Sequence, residues 1–533
     1  MKFNKILISA LLLGGLGFSS CSDDFLNTVQ TNVESQDQID QVIEGKPEQL
    51  VAFMRGINLY MIQYGAAGST SHDDFGLAGM LHCADMNGDD MVLVNNGSGW
   101  FMYDQDLSNN LENYRRPRIN WYTPYTIISK CNSLIDLLDA NSEDESIQAF
   151  LGQAYALRAM SNYYMINFFQ HIYDAWDGAN GSKPGIPIVL AEKEGESKMG
   201  RNTVKEVLMH IQNDYETSLS HFGKAGSWKR EDKSFIDKYV ANGLAARFYL
   251  MTQQWDKAQK AAAAALQGGA SLMTGSEYLA GFSDIANTEW MWGADVNAIT
   301  TTVYASFFSH ISNVSPGYAG IGAYRAISSK LYAQMPDEDM RKEAYIAPRQ
   351  IPSTDKNGVV IKDEQGDTIW VEHPQNYWNL KFGEVANFEN DIPYMRAAEM
   401  YLIQAEAYAQ QGMTAEAGQM LSTLLAKRYT ETPTISSATV EDVLLQRRIE
   451  LWGEGFSLFD LKRTNTPIMR GYEGSNFQAA YQYNAAIQNN AFNLQIPLNE
   501  IIENPNISEG NQNPLPPLLE PWSIDNPVFN GAN

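Results

Sequence analysis

The sequence predicts a mostly α-helical protein, a tetratricopeptide-like scaffold of helical pairs with long loop and short β-hairpin insertions. Two observations carry that expectation: apolar residues recur at spacings of three and four, and a short motif repeats far along the chain. Trp121, Tyr125, Ile128, Ile135 and Leu138 follow the helical period, as do Leu151, Ala154, Leu157, Tyr164 and Phe168, on either side of a polar turn at 141–146. Thr203 with Glu206 has the spacing of a capping box ahead of Val204, Val207, Leu208 and Ile211. Helices are expected over 241–251 and through the alanines at 258–265. Ala246, Tyr249 and Ala258 return as Ala405, Tyr408 and Ala417, each 159 positions later, with Gln253 matched by Gly412 at the turn. Small residues at these points let two helices approach closely. Helical pairs are therefore expected around 118–170, 202–268, 392–428 and 440–463.

The insertions read differently. Segments 65–103 and 294–324 are rich in Gly, Ser, Asn, Asp and aromatics with little sustained periodicity, so they are expected as long loops, either functional or ordered excursions. Residues 359–361 and 368–371, joined by 362–367, have the pattern of a β-hairpin. The proline-bearing stretch from Asn504 should wrap the surface. Trp290 and Trp292 alternate as in a strand with one open face.

The 533 residues are 44% hydrophobic and 19% charged, with a net charge of −25, the profile of a folded body that a phosphate backbone would repel. Nucleic-acid binding is thereby excluded. Three cysteines, Cys21, Cys83 and Cys131, are too few for a disulfide framework and lack zinc spacing. Residues 1–20 carry Lys2 and Lys5, an apolar run from Ile6 to Leu13 and the small pair Ser19 and Ser20, the pattern of a secretory signal. With Cys21 next, the segment resembles a bacterial lipoprotein signal, which implies lipidation of Cys21 and a tether over 21–45. Phe18 stands where that pattern prefers Leu. Asp23 and Asp24 resemble the surface-export signal of lipoproteins in the Bacteroidetes. Acyl chains would anchor the protein to a membrane without a spanning helix.

Four segments carry a wider resemblance. They are Leu157-Arg158-Ala159 with Tyr163, Gly185-Ile186-Pro187-Ile188 and Arg201-Asn202-Thr203-Val204; Arg396-Ala397-Ala398-Glu399 with Ala405-Glu406-Ala407; 447–455 with 459–463; and Ile496-Pro497 ahead of Gln512-Asn513-Pro514. In this order they resemble the SusD/RagB family of outer-membrane nutrient-binding lipoproteins. Gln446, Ser457 and Leu515 depart from it, standing where the family commonly has Glu, Arg and Gly. Read from the residues alone these motifs are scaffold: Arg396 with Glu399 and Arg447 with Glu450 have the spacing to pair along one helix face.

Hydrolase and nucleotide-binding strings are absent from the sequence. His72, Asp73, Asp74, His82, Cys83 and Asp85 form the densest group of metal-ligand types, but their spacing fits no common zinc pattern, and hydrogen-bonding roles are favoured. Asp85, Asn87 and Asp89 around Gly88 resemble the opening of a calcium loop, yet position twelve is Asn96 and the glycine is at position four, which rejects an EF-hand. No metal and no cofactor is assigned. Carboxylate pairs for a glycosidase cannot be told from chance among 63 acidic residues.

The surplus is aromatic, and sugars offer apolar C–H faces to rings while polar side chains read their hydroxyls. Large aromatics in the two long loops have less reason to be core, so Trp100, Tyr103, Tyr304 and Tyr318 are the candidate ligand-binding residues, assisted by Asn87 and Asp89. The resemblance implies a non-enzymatic cell-surface protein that captures an oligosaccharide and passes it to a SusC-like TonB-dependent transporter. Alternatives are a peptide-binding member of the same family, an all-α glycoside hydrolase, and a plain interaction scaffold.

Overall fold

The computed structural model describes residues 47–95, 100–190, 199–356, 358–383 and 387–532. The signal segment, Cys21 and the tether at 21–45 lie outside the described residues. The chain divides into two units, 1–51 and 52–533. Helix α1 (Pro47–Tyr60) begins in the first, and every later element belongs to the second.

The second unit has a helical body. Helices α2 (Gly76–Asn87), α3 (Arg115–Leu137), α4 (Glu145–Phe169), α5 (Val204–Lys224), α6 (Lys238–Met251) and α7 (Trp255–Leu266) are followed by α8 (Ala397–Gln410), α9 (Thr414–Leu425), α10 (Val440–Glu450) and α11 (Ser457–Thr464). Consecutive helices pack on one another from α3 to α7, α7 packs on α8, and α8 holds both α9 and α10. The capping box of α5 forms as its spacing requires: Thr203 N–H donates to the Glu206 carboxylate at 2.8 Å, and Glu206 N–H donates to Thr203 Oγ1 at 3.3 Å.

The repeated motif has a geometric counterpart. Ala246, Ala258, Ala405 and Ala417 are all fully buried where α6 meets α7 and α8 meets α9. Each hairpin turns on a left-handed residue, Gln253 at φ +59° and Gly412 at φ +76°. The next residue closes the turn in both, Gln254 N–H donating to Tyr249 O at 2.8 Å and Met413 N–H to Tyr408 O at 3.0 Å. Gln253 holds a side chain in a conformation that suits glycine. Gln253→Gly is expected to raise stability by about 0.5–1 kcal/mol, and Gly412→Ala to lower it by about 1 kcal/mol, in urea unfolding. Among the described residues nothing lies within 4 Å of a Cβ added at Gly412, so that cost would be backbone strain.

Two-stranded antiparallel ladders tie distant segments together. Strand β1 (Met91–Leu93) pairs with β3 (Arg325–Ile327), β2 (Trp290–Ala294) with β6 (Ile392–Arg396), β4 (Gln350–Pro352) with β5 (Trp370–Glu372), and β7 (Ile468–Met469) with β8 (Asn484–Ala485). The first places the two aromatic loop segments side by side, with Met91 opposite Ile327.

The structure corrects several expectations. Segment 65–103 is not all loop: it contains α2, every residue of which is buried. A helix buried on all sides shows no amphipathic stripe, which is why periodicity does not reveal it. Its start needs Gly76 at φ +67°, where a Cβ would lie 2.4 Å from Met61 O. The hairpin at 359–371 closes through a Lys362–Thr368 bridge, but its outer strand continues into a ladder with β4, the chain before it. Trp290 and Trp292 have no open face: every residue of β2 is buried, and a bulge interrupts the ladder between the two tryptophans.

The i,i+3 ion pairs do not form either. Arg396 closes strand β6 and precedes α8, so helical spacing does not apply to it. It reaches instead to Glu289, Glu450 and Glu454, while Glu399 takes Arg247 at 2.6 Å and Arg447 takes Asp460 at 2.7 Å. Glu450 receives Arg341, Arg396 and Arg428 at 2.9–3.1 Å, with all four side chains buried. The C-terminal stretch is anchored at the surface by Asn513, whose amide donates to Phe169 O and Leu494 O, and by Asn530, bridged to Ala485.

Candidate ligand-binding site

Ladder β1–β3 brings Trp100, which follows β1, towards Tyr304 and Tyr318, which precede β3. The three rings assemble around His72. His72 stacks on Trp100 with centroids 5.1 Å apart and planes at 10°, and lies within 12° of the Tyr304 plane at 6.5 Å. Tyr318 sits edge-on to Trp100 at 6.1 Å and tilted against Tyr304 at 5.8 Å. Its hydroxyl lies 2.8 Å from His72 Nδ1, and Tyr64 adds a further edge contact to His72 at 5.5 Å. The result is a terrace of rings whose outermost member, Tyr304, is 48% exposed.

The terrace is fixed from beneath. Arg115 donates to the Trp100 carbonyl at 3.2 Å and holds its guanidinium 5.5 Å from the Trp100 ring. Arg115 and Arg116 share the buried Asp73 carboxylate at 2.9 Å. His310 donates Nε2–H to the His72 carbonyl at 2.8 Å and stacks under Tyr318 at 5.0 Å. Burial, and then Arg325, push the His310 imidazole well below the ordinary histidine range, so it stays neutral and keeps this tautomer. A stacked, rigid support of this kind holds the rings ready without an ordering cost.

Of the residues expected from sequence, Trp100, Tyr304 and Tyr318 are therefore in one cluster. Tyr103, in the short helix Met102–Gln105, is exposed but has no ring contact with it among the described residues. Asn87 is corrected: it is buried within α2 and its amide donates to Asp104 O at 2.7 Å, so it has nothing to offer a ligand. Asp89 lies apart from the cluster, 9% exposed on the lining of another cavity and paired with Arg448, which also takes Asp90 at 2.5 Å. Both are polar residues that the fold uses to satisfy itself, which composition cannot distinguish from a reading head.

The grouped metal-ligand types are dispersed in the same way. Asp73 holds Arg115 and Arg116; Asp74 accepts from Ala67 and Ser69 N–H; Asp85 accepts from Gly455 N–H at 2.8 Å and Ser457 N–H at 3.2 Å. Cys83 lies 3.3 Å from Asp104, and it and Cys131 are free, buried thiols. Among the described residues no His/Cys/Asp/Glu group could hold a metal. His72, Tyr64 and Arg115 are the site residues that sequence reasoning misses. In sequence His72 stands out only as a metal-ligand type, and its partners Tyr304 and Tyr318 lie more than 200 residues away. A cavity of about 460 Å³ lies elsewhere, between Asp89, Arg448, Leu444, Leu445 and Phe456, and none of its lining residues belongs to the terrace.

Known proteins share both the sequence pattern and the fold. Residues 250–515 match the sequence profile described as the SusD family, and residues 58–250 match the profile described as "Starch-binding associating with outer membrane". A SusD-like protein, P38, of Formosa agariphila is 33% identical over 93 residues, 15% of this chain; the match spans only 18% of that relative's length. Among solved structures, a SusD-like carbohydrate binding protein from Bacteroides vulgatus superposes with a TM-score of 0.71 at 25% identity, covering 88% of this chain and 99% of its own. A SusD superfamily protein from Bacteroides thetaiotaomicron gives 0.69 at 20% identity, with 88% and 100% covered. Surface glycan-binding protein A from Bacteroides uniformis gives 0.64 at 17%, with 88% and 99% covered; these last two likenesses concern the fold.

Proposed function

Because this chain belongs to the SusD family, we propose that it is an outer-membrane, cell-surface lipoprotein that captures an oligosaccharide on the terrace and delivers it to a SusC-like TonB-dependent transporter. The observation that carries the reading is the cluster of Trp100, His72, Tyr304 and Tyr318, rings from segments far apart in sequence held near solvent by buried ion pairs. Ring faces suit the C–H faces of sugars, and no covalent chemistry is needed. The carbohydrate-binding description of the Bacteroides vulgatus neighbour supports the ligand class, and the description of the 58–250 profile supports the location. The anchor would be lipidated Cys21.

Delivery requires a surface for the transporter. Ile299, Val303 and Ile321, each more than 45% exposed, flank Tyr304 and Tyr318 in sequence and supply apolar contact around the terrace that a covering partner would bury. A peptide ligand would favour a free sheet edge or charge pockets, and the terrace consists of ring faces instead. The test is retardation of the soluble chain, truncated after Cys21, in native gels containing plant, algal, fungal and bacterial polysaccharides. Selective retardation by one of them is expected. Retardation by none, with the chain alone or bound to its transporter, would remove the glycan reading.

A further inference from the structure

The chain carries 63 acidic residues against 38 basic ones, yet its aromatic terrace is bordered by arginine. The segments that supply the rings, 56–72, 91–103 and 296–324, contain no Asp, Glu, Lys or Arg. The carboxylates next to them in sequence are withdrawn from solvent, for Asp73, Asp74 and Asp104 are fully buried. Arg116 holds Asp73 and Asp104, Arg115 shares Asp73, and the N–H groups of Ala67 and Ser69 hold Asp74. These three acids face the core and leave the terrace surface without their charge.

Arg115 is placed differently. Its Nε donates to Asp73 and its Nη2 to the Trp100 carbonyl, while Nη1 makes no hydrogen bond among the described residues and the side chain keeps 27% exposure. A partly open guanidinium is thus held 5.5 Å from the centre of the Trp100 ring. Arg118, three residues on, is exposed, and its hydrogen bond to Gly68 O is a long one of 3.4 Å. Gly68 lies in the loop between Tyr64 and His72, whose rings meet edge to face, so Arg118 stands beside the chain that presents His72.

The backbone adds to this charge. Both arginines are in the first turn of α3, which opens at Tyr114 with no side-chain cap and no acid in that turn. The positive end of the helix dipole is therefore left uncompensated where the guanidinium groups gather. At the other end of the terrace Glu389 is exposed next to Phe388, whose ring is 6.4 Å from Tyr304. The terrace is basic at Trp100 and acidic beyond Tyr304.

We infer that the terrace selects acidic oligosaccharides, resting a sugar ring on the aromatics while Arg115 and Arg118 meet its carboxylate or sulfate ester. The inference rests on the glycan reading above. A neutral sugar leaves these donors to water, whereas an anionic one makes charge-assisted, fork-shaped contacts that are shorter and stronger. A local basic edge is what such a ligand needs, because a protein of net charge −25 otherwise repels it. The chemistry is ion pairing and stacking, with no covalent step.

The probes are tetrasaccharides cut from polygalacturonate, alginate and carrageenan, each beside its methyl-esterified, carboxyl-reduced or desulfated counterpart, with starch and xylan fragments as neutral chains. They are titrated calorimetrically against the soluble chain, its Arg118→Gln variant and its Arg115→Gln/Arg118→Gln variant, with circular dichroism checking the fold. Arg115 also grips the Trp100 carbonyl, so the single variant at exposed Arg118 separates charge from terrace geometry. An acidic fragment is expected to bind at least about tenfold tighter than its neutral counterpart, equivalent to about 1.4 kcal/mol. Arg118→Gln should lower that preference about threefold without changing the affinity for neutral fragments, and the double variant should abolish it. Preference for the uronate fragments would identify a carboxylate as the recognised group, and preference for carrageenan a sulfate ester. Neutral fragments binding as tightly as acidic ones, and losing affinity in a Trp100→Ala/Tyr304→Ala variant, would overturn the selection of acidic chains and leave the glycan reading standing. An acidic preference that survives in the double arginine variant would overturn the role given to Arg115 and Arg118. No binding by any fragment would overturn this inference together with the glycan reading.

Discussion

Replacing Trp100 and Tyr304 together by alanine is expected to weaken glycan binding about a thousandfold in affinity gels or calorimetry. Aromatic anchors at recognition surfaces are worth roughly 2 kcal/mol or more each when truncated, and about 4 kcal/mol corresponds to three decades in affinity. Here the two rings are presented nearly parallel around His72, so removing both takes away the outermost ring and the one whose carbonyl Arg115 grips. Neither ring is part of the fully buried core, so unfolding should be little changed. Undiminished affinity in the double variant would dismiss the terrace as the ligand site.

Glu450→Gln is expected to cost about 3–5 kcal/mol of stability at neutral pH, read from urea unfolding. Glu450 is shared by Arg341, Arg396 and Arg428 with no exposure to water. The substitution keeps the shape and removes the charge, leaving three buried guanidinium groups short of an anion. Burial alone would raise the Glu450 carboxyl, but Arg428, Arg396 and Arg341 outweigh it and hold the group well below its ordinary range. The sign follows: a depressed folded pKa stabilises above the unfolded value, about 4.3 for glutamate, and that contribution fades as pH falls below it. The gap between wild type and Glu450→Gln should therefore be constant from pH 7 to about 5. It should then shrink by up to about 1.4 kcal/mol per pH unit below 4.3. A gap that grew towards acid would contradict the assignment of charge to this carboxylate.

These two predictions differ in how far the sequence reaches. Helices α3 to α7 and the alanine turns at Gln253 and Gly412 were legible because each depends on residues close in the chain. Amphipathic spacing, a capping box and small residues at a tight turn act over a few positions, and local physics is written locally. The loop origin of Trp100, Tyr304 and Tyr318 was legible for the same reason, since aromatics without periodicity stand out.

What the sequence by itself determined, then, is a helical-pair scaffold and a surplus of loop aromatics, together with the family motifs that mark the scaffold. What only the tertiary structure decided is which polar and aromatic groups meet. Arg396 pairs with Glu450 across 54 residues, His72 with Tyr318 across 246, and Asn87 commits its amide to Asp104 inside a helix that shows no stripe. A buried charge or amide must find a partner wherever the fold supplies one, because leaving it unpaired costs more than any local preference recovers. Partner choice is thus a property of the closed core, and the aromatic terrace inherits its shape from that closure.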